Sequence, residues 1–252
     1  MSPPSALAIL AAGFVAGGVN AVVGSGSLVT FPTLLGLGYP PVLANVSNTV
    51  GLVPGSLSAV VAYRRELSGQ EGRLLRLAPM SLGGGLAGGI LLLALPHRVF
   101  TSVVPALVAA AALLMAFQPA IGRRLERRGA RPAHATAPLL AGVFLTGVYG
   151  GYFGAAQGVI LIALLATFLD DHLQRLNATK NTLALVANLV AGLLFVAVTH
   201  VDWAVAGLIA AGSVAGGQVG GRYGRRLRTD VLRWVVVVVG LAVAAGLAVE
   251  WH

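Results

Sequence analysis

The chain has 252 residues, 57% of them hydrophobic and 10% charged, and a mean hydropathy of +0.86. A water-soluble domain carries about a quarter charged residues, so lipid is the main solvent here. The absence of cysteine excludes disulfides, thiolate metal sites and a cysteine nucleophile. The net charge of +9 does not indicate nucleic acid, because the basic residues lie between apolar segments and not on one face of a soluble domain.

Crossing the hydrocarbon core takes about 20 apolar residues. Residues 1–5 have no basic n-region and run into an apolar stretch that passes any cleavage site, so no removable signal peptide is expected. Residues 6–37 are too long for one span and too short for two, and glycine interrupts them at Gly24-Ser25-Gly26-Ser27. Three ordinary spans follow at 42–62, 77–95 and 99–117. Residues 137–169 repeat the anomaly, interrupted at Gly150-Gly151-Tyr152-Phe153-Gly154, and are followed by spans at 182–198, 203–221 and 231–249. Each interrupted region is predicted to form two short half-spanning helices that meet at a break. Trp203, Trp234 and Trp251 lie near span ends and read as interfacial anchors.

Short loops rich in Lys and Arg stay in the cytoplasm. Four basic residues fall between Arg64 and Arg76, five between Arg123 and Arg131, two at Arg175 and Lys180, and five between Arg222 and Arg233, leaving only Arg98 apart. All four clusters share one side only if 137–169 starts and ends in the cytoplasm. Arg98, His200 and Asp202 then fall outside, as do both termini. Gly17–Leu35 aligns without gaps on Gly147–Leu165, and Ser81–Gly89 matches Ser213–Gly221 at five of nine positions, with the offset steady near 130. The expected fold is therefore an all-α polytopic membrane protein made of two inverted repeats, 1–121 and 137–252. Each is a broken or re-entrant helix pair plus three transmembrane helices, and a basic cytoplasmic linker at 122–136 joins them.

Irregular backbone inside a bilayer is tolerated where it is buried in protein or lines a wet cavity. Two breaks at equivalent positions imply a central cavity, and half-helix N-termini suit anions. Gly24, Gly26, Gly154 and Gly158 let a ligand approach the backbone, while Ser25, Ser27 and Gln157 supply neutral donors; the glycines equally suit close helix packing. A polar cluster opens the next helix of each half: Asn45, Ser47, Asn48 and Thr49, then Asn177, Thr179, Lys180, Asn181 and Thr182. Asn45 and Asn177 fit helix caps as well as ligands. Asn48, Thr49, Lys180 and Asn181 lie deeper, where capping explains less. Lys180, the only lysine, is placed either to neutralise an anion or to snorkel to the headgroups. Every acid is terminal to an apolar segment, so a carboxylate proton relay has no support. The five histidines have no metal-ligand spacing, there is no P-loop, and Gly-Ser-Gly-Ser lacks a base partner, so neither an enzyme nor a cofactor is expected.

The run Ala16-Gly-Gly-Val-Asn-Ala-Val-Val-Gly-Ser-Gly-Ser-Leu-Val-Thr-Phe-Pro-Thr-Leu-Leu35, with Ala44-Asn-Val-Ser-Asn-Thr49, resembles the first-half signature of the TauE/SafE family of sulfite exporter-like membrane proteins. Gly147-Val-Tyr-Gly-Gly-Tyr-Phe-Gly154 with Asn177-Ala-Thr-Lys-Asn-Thr182 resembles its second repeat. The resemblance covers nearly the whole chain. It implies outward transport of sulfite or small organosulfur anions, with the turns at 24–27 and 154–158 flanking the substrate beside Asn48, Thr49, Thr179 and Lys180. This chain has Ser47-Asn48-Thr49 where the first half of such proteins often has a Thr-Asn-Lys-like run, so one expected cation is missing. The sequence thus predicts an alternating-access exporter of a small anion in the inner (plasma) membrane, compatible with a homo-oligomer. An anion channel and a non-transporting scaffold are the alternatives.

Overall fold

The computed structural model describes residues 1–126 and 136–223, together with helical residues 234, 237, 238, 240–242, 244 and 245. The expected linker at 122–136 and span at 231–249, with most of the fourth basic cluster, lie largely outside the described residues. The described residues are helical and contain no strand. The helices are α1 (Pro3–Val22), α2 (Ser27–Gly36), α3 (Pro41–Ala62), α4 (Arg64–Leu67), α5 (Glu71–Ala94), α6 (His97–Glu126), α7 (Ala137–Tyr152), α8 (Gln157–Phe168), α9 (Leu173–Val198) and α10 (Trp203–Tyr223).

Among the described residues, five segments are long and apolar enough to cross a membrane: Pro3–Val22, Glu71–Ala94, His97–Gln118, Leu173–Val198 and Trp203–Tyr223. The 22 residues of α3 have the length, but buried Asn45, Ser47, Asn48, Thr49, Ser56 and Ser58 dilute its apolar character. Leu75, Leu145 and Leu193 point outward, 76%, 65% and 61% exposed, as suits side chains that face lipid.

Both interrupted regions do break, but not into equal halves. The α2, α7 and α8 helices have 10, 16 and 12 residues, whereas α1 has 20 and spans about 30 Å. It begins three residues before the apolar run because the Ser2 hydroxyl accepts from the Ser5 N–H at 3.3 Å, and Pro3 and Pro4 occupy the first turn, where a missing N–H removes no helical bond.

The packing has two matching layers. One is α1 on α10 on α3, the other α7 on α5 on α9, and α3 meets α9 between them. Both outer seams are lined with glycine. A Cβ on Gly216 would strike the Phe14 carbonyl of α1, and one on Gly84 would strike the Phe144 carbonyl of α7. Without side chains there, the backbones approach closely enough to gain dispersion contacts in a solvent that offers no hydrophobic drive. The Ser213 hydroxyl donates to the Gly51 carbonyl at 3.3 Å and the Ser81 hydroxyl to the Leu183 carbonyl at 2.7 Å. These are the same contact repeated at an offset of about 130 residues.

The 26 residues of α9 separate the two ends of the molecule by about 39 Å. At its start, Arg73 and Arg175 pair with Asp171 at 2.8 and 3.1 Å, joining the first turn of α5 to the α8–α9 turn; this is the basic end. Beyond its other end, the Asp202 N–H donates to the Ser47 hydroxyl at 3.0 Å.

Candidate functional site

The α1 helix stops at Val22, and the chain reverses through Gly24 at φ +90° before α2 starts. The α7 helix stops at Tyr152 and reverses through Gly154 at φ +80° and Ala156 at φ 58° before α8 starts. The two turns meet. The Gly158 N–H donates to the Gly24 carbonyl at 2.9 Å, and a Cβ on Gly24 would lie 2.5 Å from the Gly158 Cα. Gly24 therefore answers two demands, a left-handed φ and a backbone-to-backbone contact. As a result, the N-termini of α2 and α8 converge, each adding a partial positive charge.

The polar turns of α3 and α9 hold the ends of the broken helices. Asn177 and Asn181 donate their amides to the Ala21 carbonyl at 3.1 and 3.2 Å, and Lys180 Nζ donates to the Asn20 carbonyl at 3.2 Å. These three α9 side chains satisfy the carbonyls that α1 leaves unpaired at its C-terminus. On the other side, Asn45 of α3 donates to the Tyr152 carbonyl, the last residue of α7, at 3.0 Å. The expected capping of their own helices does not occur, since Pro40 and His172 stand at the N-caps of α3 and α9; Asn45 and Asn177 instead donate to the carbonyl ends of α7 and α1.

Between these elements lies a cavity of about 20 Å³, lined by Asn20, Gly24, Ser27, Ser56, Ala59, Gly154, Gln157, Gly158, Lys180, Asn181, Ala184 and Asn188. That volume holds about one water. Lys180 is 1% exposed, and no ion pair joins it to a carboxylate among the described residues. Gln157, 2% exposed at the start of α8, has no hydrogen-bond partner among the described residues for either amide atom. An unmade hydrogen bond at a buried polar atom costs about 1–3 kcal/mol, so the closed site holds an amine and an amide with hydrogen-bonding capacity left over.

Of the residues singled out in the sequence, Gly24, Ser27, Gly154, Gln157, Gly158, Lys180 and Asn181 line this cavity. Others stand apart from it. The Ser25 hydroxyl turns away to Met115 Sδ at 3.2 Å, and the Gly26 N–H donates to Asn20 Oδ1 at 2.7 Å. Asn48 sits behind Ser27, donating to its hydroxyl at 3.2 Å and accepting from Thr30. Thr49 bonds back to the Asn45 carbonyl at 2.9 Å, and Thr179 donates to Gln70 Oε1 at 2.7 Å. Asn20, Ser56 and Asn188 went unmarked, although a polar side chain inside an apolar run was the signal that could have found them. Ser56 and Asn188 occupy equivalent places in α3 and α9, at the same offset of about 130 residues.

A family model, "Sulfite exporter TauE/SafE", matches residues 9–247. The chain belongs to that family. A "Probable membrane transporter protein" of Haemophilus influenzae is 29% identical over 240 residues, covering 95% of this chain and 93% of its own. Probable membrane transporter proteins of a Sinorhizobium species and of Escherichia coli K12 are 28% and 27% identical, covering 96% and 94% of this chain and 92% and 87% of theirs. No solved structure matches the chain. Membership in the family and the apolar helices make this a multi-pass membrane protein of a transporter family, and its relatives carry transporter names, not enzyme names.

Proposed function

We propose that the protein exports a small sulfur-containing anion, sulfite or an organosulfonate, by alternating access between two inverted halves, with the basic loops in the cytoplasm. The observation that carries this reading is Lys180. A buried lysine whose one hydrogen-bond partner among the described residues is a backbone carbonyl stands where two short helices bring their N-termini together. A charge taken out of water costs several kcal/mol unless it is paired, and a bound anion is the partner that would complete it. Gln157 and Asn188, with the hydroxyls of Ser27 and Ser56, would orient the anion's oxygens. The sulfur chemistry comes from the family description alone.

The cavity between the two turns, too small for a sulfur oxyanion without rearrangement, favours a carrier over an open pore. The test is a panel of sulfite, sulfate, thiosulfate, sulfoacetate and taurine added to purified protein while its melting temperature is followed. At least one sulfur anion should stabilise the parent, and Lys180→Met should weaken that binding by about tenfold or more. Stabilisation by a cation or neutral solute alone would overturn the reading. Counterflow in proteoliposomes then distinguishes carrier from channel.

A further inference from the structure

Two contacts outside the cavity repeat one another at opposite ends of the molecule. At the basic end, Gln70 precedes α5, is 2% exposed and is fully engaged. Its amide nitrogen donates to the carbonyls of Glu66 at 2.7 Å and Arg175 at 3.1 Å. Its oxygen accepts from Arg73 at 2.5 Å and from the Thr179 hydroxyl at 2.7 Å. The Arg73–Asp171–Arg175 ion pairs and the bond from Arg175 Nη1 to the Ser68 carbonyl at 3.1 Å close the same seam. At the other end, Asp202 precedes α10 and holds Ser47 of α3 through one backbone N–H. Gln70 and Asp202 are equivalent positions at the offset of about 130 residues, and so are Thr179 and Ser47. Thr179 is the neighbour of Lys180, and Ser47 the neighbour of Asn48, which supports the cavity residue Ser27.

We propose that these two contacts are paired clasps that govern which end of the cavity opens: Gln70–Thr179 at the basic end and Ser47–Asp202 at the opposite end. The inference rests on the alternating-access reading. Each clasp ties a helix that carries or supports the site to a turn from the other half. With both formed, the cavity is closed to about one water, as observed. The clasps differ in strength, because Gln70 makes four hydrogen bonds within an ion-pair network and Ser47 makes one to a backbone N–H. The opposite end is therefore the one that opens more readily, and releasing the basic end requires Gln70 to give up its partners together.

The chain's lack of cysteine supplies a clean background for the test. A single Ala184→Cys in the cavity wall reports access to an impermeant thiol reagent applied to right-side-out or inside-out vesicles. Gln70→Ala or Thr179→Val should raise labelling about tenfold from the face carrying the basic end, and Ser47→Ala from the opposite face. Thr179→Ser and Ser47→Thr keep the hydroxyl and should label like the parent, which separates clasp release from misfolding. Increases on one and the same face for both clasps, equal increases on both faces, or no change overturn the proposal. Methanesulfonate is added in parallel as an inert sulfonate. Protection by it without any sided effect sinks the clasps and leaves the anion reading standing. Sided effects without protection by any anion do the reverse.

Discussion

At the residue scale, Gln157 separates a binding role from a structural one. Its amide is buried with no partner among the described residues, so it contributes no hydrogen bond to this part of the fold, and an apolar side chain of similar length should be accepted in its place. Gln157→Met is expected to leave the ligand-free protein as stable as the parent, or more stable by about 1 kcal/mol, while weakening anion binding about tenfold. Thermal melts with and without anion check both halves of this expectation. A large loss of ligand-free stability would mean that the amide supports the fold through a partner reached only in another state. Ser25 shows what a motif leaves open. It stands between two site residues in the chain, yet its hydroxyl faces Met115 of α6. The rotation of α2 is set by the backbone angles of a non-helical turn, and helical periodicity does not carry phase across such a turn.

At the element scale, the glycine seams make a sharp contrast available. Gly216→Ala and Gly84→Ala each push a methyl into a backbone carbonyl that cannot move without parting two helices, whereas Gly207 of α10 has open space around it. The first two should lower stability by about 1–3 kcal/mol each. Gly207→Ala should be neutral, or stabilising by up to about 1 kcal/mol through helix propensity. Melting temperatures of the purified variants give the comparison. The broken elements themselves were legible because glycine coincided with an apolar length that fits neither one span nor two. The length of α1 was not, because it depends on Ser2 and two prolines ahead of the apolar run. The site partners Asn20 and Asn188 were legible in principle as lone amides in apolar surroundings. What the sequence could not convey is that the two turns touch, since the Gly158–Gly24 hydrogen bond joins residues far apart in the chain.

At the scale of the whole molecule, Asp171 ties the two halves together at the basic end. Burial works against its charge, but hydrogen bonds from Arg73, the His172 N–H and Arg175 outweigh that and hold its carboxyl below the ordinary value of 3.8. A carboxylate whose folded value is depressed stabilises the fold above its unfolded value, and loses that contribution as pH falls through the folded one. Asp171→Asn should therefore cost about 1 kcal/mol at neutral pH. The gap from the parent should stay constant down to roughly pH 5 and close below pH 4. Melts across that range decide it. A gap that widens as pH falls would contradict the assignment.

The order of the packing layers also bears on how the protein is made. The α1 helix finds its glycine seam on α10, and α7 finds its seam on α5, so α1 lies against a helix that is made long after it. At about 5–20 residues per second, roughly ten to forty seconds of synthesis separate the two. Over that interval α1 carries bare backbone at Gly13 and Gly17 with no seam to cover it. The newborn chain must keep these groups from other small-residue helices in a crowded bilayer until its own partner arrives.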